Sequence, residues 1–309
     1  MATLTTYRRT LAPLLGSFVY GTVTTAATGS IICTDSPFKS SLSQDKLFEA
    51  KFLYIPTATA SGDRSRIVAT YTASTGTLVP DNVWSAAPTG LVFEVHGHPI
   101  EPQVEMLAIL NDALTRCLVP VEFSFSPSNA SNVRHSLASA ASWLTDPRWI
   151  YQVGMLTASE TRAYTDPYAR VIYGTAEKDG ATVYMNLYPR RFSTTDVIYV
   201  RAAKPAYFHC TATGGSYGSQ SGLSAETDEA SVNEYWVAQA AKLVVLDRYD
   251  SAGAAADQAS FNRERQMTAL RFTDLTRQNY PAWARTFRPL ARMSMYAGGG
   301  GLLSLKGLE

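Results

Sequence analysis

The stretch RVIYGTAEKDGATVYMNL, residues 170–187, decides the fold class. Two runs rich in β-branched and aromatic residues flank Lys178-Asp179-Gly180, and a glycine there accepts the left-handed backbone that a tight hairpin needs. The spacing predicts strands over 170–175 and 182–187. Strand patterns continue on both sides, from Trp149 to Val153 and from Asp196 to Arg201, with Tyr207 to Cys210 as an extension. Short strands with period-two alternation and regular turns predict an antiparallel sandwich or barrel over 148–210.

Working outward toward the N-terminus, residues 18–34 read as a hairpin of Thr, Val, Ile and Ala around Gly21 and Gly29. Residues 47–55, 66–72 and 91–96 read as further strands. Helical spacing of Leu4, Tyr7, Leu11, Leu14 and Leu15 predicts a helix over 4–15, although Arg8 and Arg9 ahead of Leu11, Leu14, Leu15, Phe18 and Val19 loosely imitate a signal peptide. Val104, Leu107, Leu110, Leu114 and Cys117 form the stripe of a helix from Glu101 to Leu118, with Pro102 in its first turn and Pro120 as its stop. A small-residue helix over 132–144 would use Leu137, Ala141 and Leu144. Thr227 is placed to cap a helix carrying Val232, Tyr235, Trp236, Gln239, Leu243 and Leu246, with Asp228 and Glu229 complementing its dipole. A last helix over 257–278 carries Phe261, Leu270 and Leu275.

The expectation is therefore an α+β fold: an antiparallel β-sandwich portion flanked by helices, with extended N- and C-terminal arms. Residues 1–292 read as a single mixed domain, β-rich over about 148–210 and helical over about 226–280, and 293–309 as a flexible C-terminal arm. In that arm Gly298 to Gly301 precede Leu302, Leu303 and Leu305, candidate grips for a partner that orders on assembly.

The chain has 309 residues, 46% of them apolar, enough for a large core. Its net charge of +1 gives no global field toward nucleic acid or a membrane. Only 17% of residues are charged, which suits a surface packed against neighbours. Three scattered cysteines, Cys33, Cys117 and Cys210, give neither a disulfide framework nor metal-ligand spacing. No apolar run is long enough to span a bilayer, and no membrane partner is expected.

Chemistry-bearing motifs are sparse. His96 and His98 are the one close histidine pair, with only Glu94 and Glu101 nearby, and read as packed or exposed imidazoles rather than as a metal site. His209 and Cys210 are adjacent, so on a strand they face opposite ways and cannot act together. Gly214 to Gly222 is glycine-rich, but no phosphate-binding lysine follows. Nothing marks a catalytic, cofactor or metal site. The distinctive feature is the segment from Phe261 to Arg292, where Arg263, Arg265, Arg271, Arg277, Arg285, Arg288 and Arg292 face only Glu264 and Asp274. Phe272, Tyr280, Trp283 and Phe287 are interleaved with them. Such a segment suits a protein interface or non-specific contact with DNA in a channel.

The order of elements from Gly180 to Tyr249 carries a resemblance. The hairpin at Asp179-Gly180 leads to Val183-Tyr184-Met185-Asn186-Leu187, then to residues 195–207, and then Glu226-Thr227-Asp228-Glu229 opens the segment with Glu234-Tyr235-Trp236-Val237-Ala238. This pattern resembles the neck or adaptor proteins of the head–tail connector in long-tailed phages. The resemblance implies a homo-oligomeric ring, commonly twelve-fold, seated between the portal protein and the next neck or tail protein, with DNA passing through its lumen. It implies a virion protein made in the host cytoplasm, with no catalytic residues and no cofactor. A second reading is another virion structural protein, such as a minor capsid, decoration or tail-associated protein. A third is a hydrolase with dispersed carboxylates.

Overall fold

The computed structural model describes residues 1–39, 44–127, 134–156, 170–171, 173–188, 194–212, 215, 221–249 and 258–280. From the N-terminus, β1 (Ala2–Thr3) and α1 (Leu4–Leu15) lead into β2 (Phe18–Thr22), β3 (Thr25–Ala27), β4 (Ser30–Ile32), β5 (Phe52–Tyr54), β6 (Ser65–Thr72), β7 (Thr77–Pro80) and β8 (Val92–His96). Next come α2 (Glu105–Arg116), β9 (Leu118–Phe125), β10 (Arg134–Ser136), β11 (Ile150–Leu156), β12 (Arg170–Val171), β13 (Tyr173–Asp179), β14 (Thr182–Tyr188) and β15 (Val197–Pro205). The chain continues through β16 (Cys210–Thr211), β17 (Glu229–Ala230), α3 (Glu234–Tyr249) and α4 (Gln258–Asn279). Helices and antiparallel sheets together make the mixed α+β class.

The described residues group into two compact units: Met1–Cys117 with Pro205–Thr276, and Leu118–Lys204 with residues 277–280.

In the first unit a seven-stranded sheet runs in the order β2-β8-β5-β6-β7-β4-β3. Its two outer strands are successive halves of one run, residues 18–27. Between them the Val23 amide donates to the Leu91 carbonyl at 2.9 Å and the Thr24 amide to the Ile32 carbonyl at 2.8 Å. The sheet therefore curls until both ends meet in the same strand, a small barrel that leaves little open edge. Its interior holds Val23, Ile31, Phe38, Leu53, Ile55, Val68, Tyr71, Leu78, Trp84, Phe93 and Val95. Gly76, at φ +68°, turns β6 into β7. The expected hairpin over 18–34 is the β3–β4 pair, turning at Thr28-Gly29. β7 is a strand that the sequence reading did not contain.

The N-terminus is bound into this unit instead of extending as an arm. Ala2 and Thr3 pair with Ala230 and Glu229. The Thr3 hydroxyl accepts from the Thr6 amide, capping α1, which runs through Pro13 and buries Leu4, Tyr7, Arg8, Leu11 and Ala12. The expected helix near 101–118 spans 105–116, and just ahead of it the Glu101 carboxylate accepts from the Gln103 and Val104 amides at 2.8 and 2.6 Å. It ends before Pro120, which lies in β9, an outer strand of its sheet where a missing N–H costs little.

The helix expected from Thr227 starts later. Asn233 caps α3 by accepting from the Trp236 amide at 3.1 Å. Glu229 and Ala230 are spent on pairing with β1 and β16, and the Asp228 carboxylate accepts from the Ser224 and Ala225 amides at 2.7 and 2.8 Å. Short acidic side chains compete for nearby backbone in this way. Along α3, Trp236, Val237, Ala240, Ala241 and Val244 are buried, but Tyr235 faces solvent.

The second unit is the expected sandwich. A four-stranded sheet, β12-β11-β15-β9, and a three-stranded sheet, β10-β14-β13, share one core. Ile198, Val200 and Ala202 of β15 alternate into it, as do Val183, Met185 and Leu187 of β14. The hairpin at Asp179-Gly180 forms as read, with Asp179 opposite Thr182 and Gly180 at φ +59°. The helix expected over 132–144 does not form. Residues 134–136 pair with β14, and Leu137, Ala141 and Leu144 reach the same core from turns. Ser136 also accepts from the Ala138 amide at 3.3 Å, a local bond of the kind that competes with a helix.

Candidate functional site: an exposed helix and a buried charge cluster

Of the arginines singled out in the sequence, Arg263, Arg265, Arg271 and Arg277 lie on α4, all solvent-exposed. Arg285, Arg288 and Arg292, and Leu302, Leu303 and Leu305 with the whole 293–309 arm, lie outside the described residues.

α4 forms because its sequence is rich in Gln, Arg, Glu, Met, Ala and Leu, strong helix formers that need little burial. It is held from one side. Thr268 is its one buried residue among those described. The Trp236 Nε1–H of α3 donates to Thr276 Oγ1 at 2.9 Å, and its ring stacks on Phe272 with centroids 6.3 Å apart. Lys242 pairs with Glu264 at 2.7 Å and Arg265 with Asp247 at 2.8 Å. Asp247 also receives Arg116 of α2 at 2.8 Å, and the two guanidinium groups hold its carboxyl below the usual range against the opposing effect of burial. These residues line an open hollow of ≈ 350 Å³ with Leu243, Asn262, Gln266 and Ala269. Arg265 is thus committed within the chain. Arg263, Arg271 and Arg277 have no ion-pair partner among the described residues.

A second cluster, not foreseen from sequence, lies between α1 and the barrel. β8 is buried on both faces: Phe93 and Val95 enter the barrel, while Glu94 and His96 point the other way. There they meet Arg8, which is 1% exposed, while Glu94 is 0% exposed. Arg8 Nε donates to Glu94 Oε2 at 2.7 Å, and Nη1 donates to both oxygens of Glu226 at 2.8 and 2.7 Å. Its guanidinium lies 4.5 Å from the Tyr54 ring centroid, and Tyr54 donates its hydroxyl to Glu226 at 2.5 Å. Thr5 donates to Glu226 at 2.8 Å, and Arg9 Nε donates to Glu94 at 2.8 Å.

Two arginines and two carboxylates balance, and the protonation states follow. Burial alone pushes the Glu94 carboxyl up, but hydrogen bonds from His96, Arg8 and Arg9 and the Arg8 charge outweigh it and bring it down to about 2. Burial pushes both histidines down, His98 to about 4, with the neighbouring His96 adding to the effect. Both rings are therefore neutral near pH 7. Glu94 can only accept, so His96 Nε2–H donates to it at 3.2 Å, and His98 Nε2–H donates to His96 Nδ1, also at 3.2 Å. Both Glu94 oxygens already accept, Oε1 from Arg8 and Arg9 and Oε2 from Arg8 and His96. The arrangement holds α1 and residue 226 against β8 and β5.

A sequence signal for this cluster exists. Arg8 falls on the same helical face as Leu4, Leu11 and Ala12, and Glu94 and His96 alternate with Phe93 and Val95. A charge on each of two otherwise buried faces calls for a partner. Among the described residues no group of three or more His, Cys, Asp or Glu is arranged to hold a metal ion, and no helix is long and apolar enough to cross a membrane. The three cysteines are free and buried.

Comparison with known proteins finds no family model, no curated protein and no solved structure that matches the chain.

Proposed function

We propose that this protein is a structural component of a virion: a head–tail connector of the long-tailed-phage neck type, in which identical subunits form a ring between portal and tail and DNA passes through the lumen. The observation that carries this reading is α4, a 22-residue helix gripped along one side. It presents Arg263, Arg271 and Arg277 with Met267 and Leu270 to solvent. Arginine and methionine are residue types enriched where proteins meet. The element order over 180–249 and the sparse surface charge support the same reading. The cluster around Glu94 suits a load-bearing part, because its charges are consumed in fastening elements together. On this reading the protein is not an enzyme and needs no cofactor.

The test is negative-stain imaging and mass measurement of the purified full chain, alone and with portal. Closed rings of one size, adding to the portal end, are expected. A monomer that leaves the portal bare overturns the proposal. An Ala scan of Arg263, Arg271 and Arg277 then separates two roles. A large assembly loss at one or two positions marks a protein interface, and small, salt-dependent losses of DNA at every position mark a channel lining.

A further inference from the structure

The outward face of α4 carries a pattern of its own. Positions 263, 267, 270, 274 and 277 are spaced four, three, four and three apart, so they fall in one line on a helix. The line reads Arg263, Met267, Leu270, Asp274, Arg277 and lies opposite the side that holds Thr268, Phe272 and Thr276. Met267 is 48% exposed and Leu270 44%, both large apolar side chains left in water. Neither Arg263 nor Asp274 has an ion-pair partner among the described residues.

The line is complementary to itself when turned end for end. About a two-fold axis midway between Thr268 and Ala269, position 263 falls against 274 and 267 against 270. We propose that α4 packs antiparallel against α4 of a second copy of this chain across that axis. Two Arg263–Asp274 ion pairs would then enclose two Met267–Leu270 contacts. This is the layer pattern of an antiparallel helix seam, and a two-fold contact requires such self-complementarity. The parallel arrangement is disfavoured, because it sets Arg263 against Arg263 and Asp274 against Asp274. Four side chains per copy over about three turns bury less than the roughly 1,200 Å² of an ordinary stable interface. The pairing is therefore weak and concentration-dependent. It goes beyond the proposed ring, since a ring closes through head-to-tail contacts and this contact is of the other kind.

The experiment is sedimentation of the full chain across micromolar to near-millimolar concentration, with circular dichroism to verify folding. Four samples accompany the wild type: Arg263→Asp, Asp274→Arg, the double variant carrying both, and an equal mixture of the two single variants. The wild type is expected to double in mass with concentration. Each single variant sets like charges together and should lose at least tenfold in association. The double variant and the mixture restore opposite charges at both ends and should recover it. A wild type that never doubles, single variants that associate as well as wild type, or a double variant that fails to recover overturns the pairing. Wild-type rings that never double overturn the pairing alone, and a wild type that doubles without forming rings overturns the proposed function alone.

Discussion

Replacing Glu94 by Gln keeps the shape of the side chain and removes its charge, which isolates what the carboxylate does. In the variant, Arg8 keeps Glu226 but loses its most buried charged partner, and one amide oxygen replaces the two acceptors that Arg8, Arg9 and His96 share. Breaking a buried ion pair by removing one partner costs about 3–5 kcal/mol. A second route gives a similar figure. A carboxyl held at about 2 against an ordinary 4.5 is worth roughly 3 kcal/mol of folding stability, at about 1.4 kcal/mol per pH unit. The low end is expected, because Glu226 remains. With a urea slope of about 1–3 kcal/mol/M, the unfolding midpoint at pH 7 should fall by at least about 1 M. The acid dependence fixes the sign. A depressed carboxyl contributes stability that is present above its unfolded value of 4.5 and is lost as pH falls through about 2. The gap between wild type and Glu94→Gln should thus be widest near pH 7 and close between about pH 5 and pH 2. Adding Arg8→Met to Glu94→Gln should cost less than the two single changes together. A loss under about 1 kcal/mol at pH 7, or a gap that stays constant on acidification, would refute this account of the cluster.

Three further outcomes follow from the same structure. His98 is held down at about 4, so its contribution is full above the unfolded 6.5 and is lost as pH falls from there toward about 4. His98→Gln should flatten that part of a urea-midpoint series against pH, by up to about 1.4 kcal/mol per pH unit. Gly76 sits at φ +68°, where a Cβ would lie 2.0 Å from the Cys33 carbonyl oxygen, so Gly76→Ala must move backbone. A cost of about 2 kcal/mol or more is expected, read as a melting point lower by about 5 °C or more. Thr276→Val removes the acceptor of the Trp236 Nε1–H. Hydrogen exchange along α4 should quicken, consistent with the about 0.5–1.5 kcal/mol that one hydrogen bond contributes, while exchange in the barrel strands stays unchanged.

What the sequence determined by itself was local. The hairpin at Asp179-Gly180 follows from one turn whose chemistry lies within a few residues, and α1 and α4 follow from helical spacing and helix-forming residues. Exposure of Arg263, Arg271 and Arg277 follows from the same period. Tertiary structure decided wherever distant segments compete for the same backbone or charge. Residues 229–230 and 134–136 are strands because partners far along the chain claim their amides, against a local pattern that reads as helix. The run 18–27 closes a barrel only because β8 and β4 arrive on either side of it. Arg265 is taken out of the unpaired set by Asp247 of another helix. Arg8 meets Glu94 86 residues away and Glu226 218 residues away. Helical spacing reports which face a residue lies on, but a buried charge is stable only beside its partner, and folding alone brings the partner there.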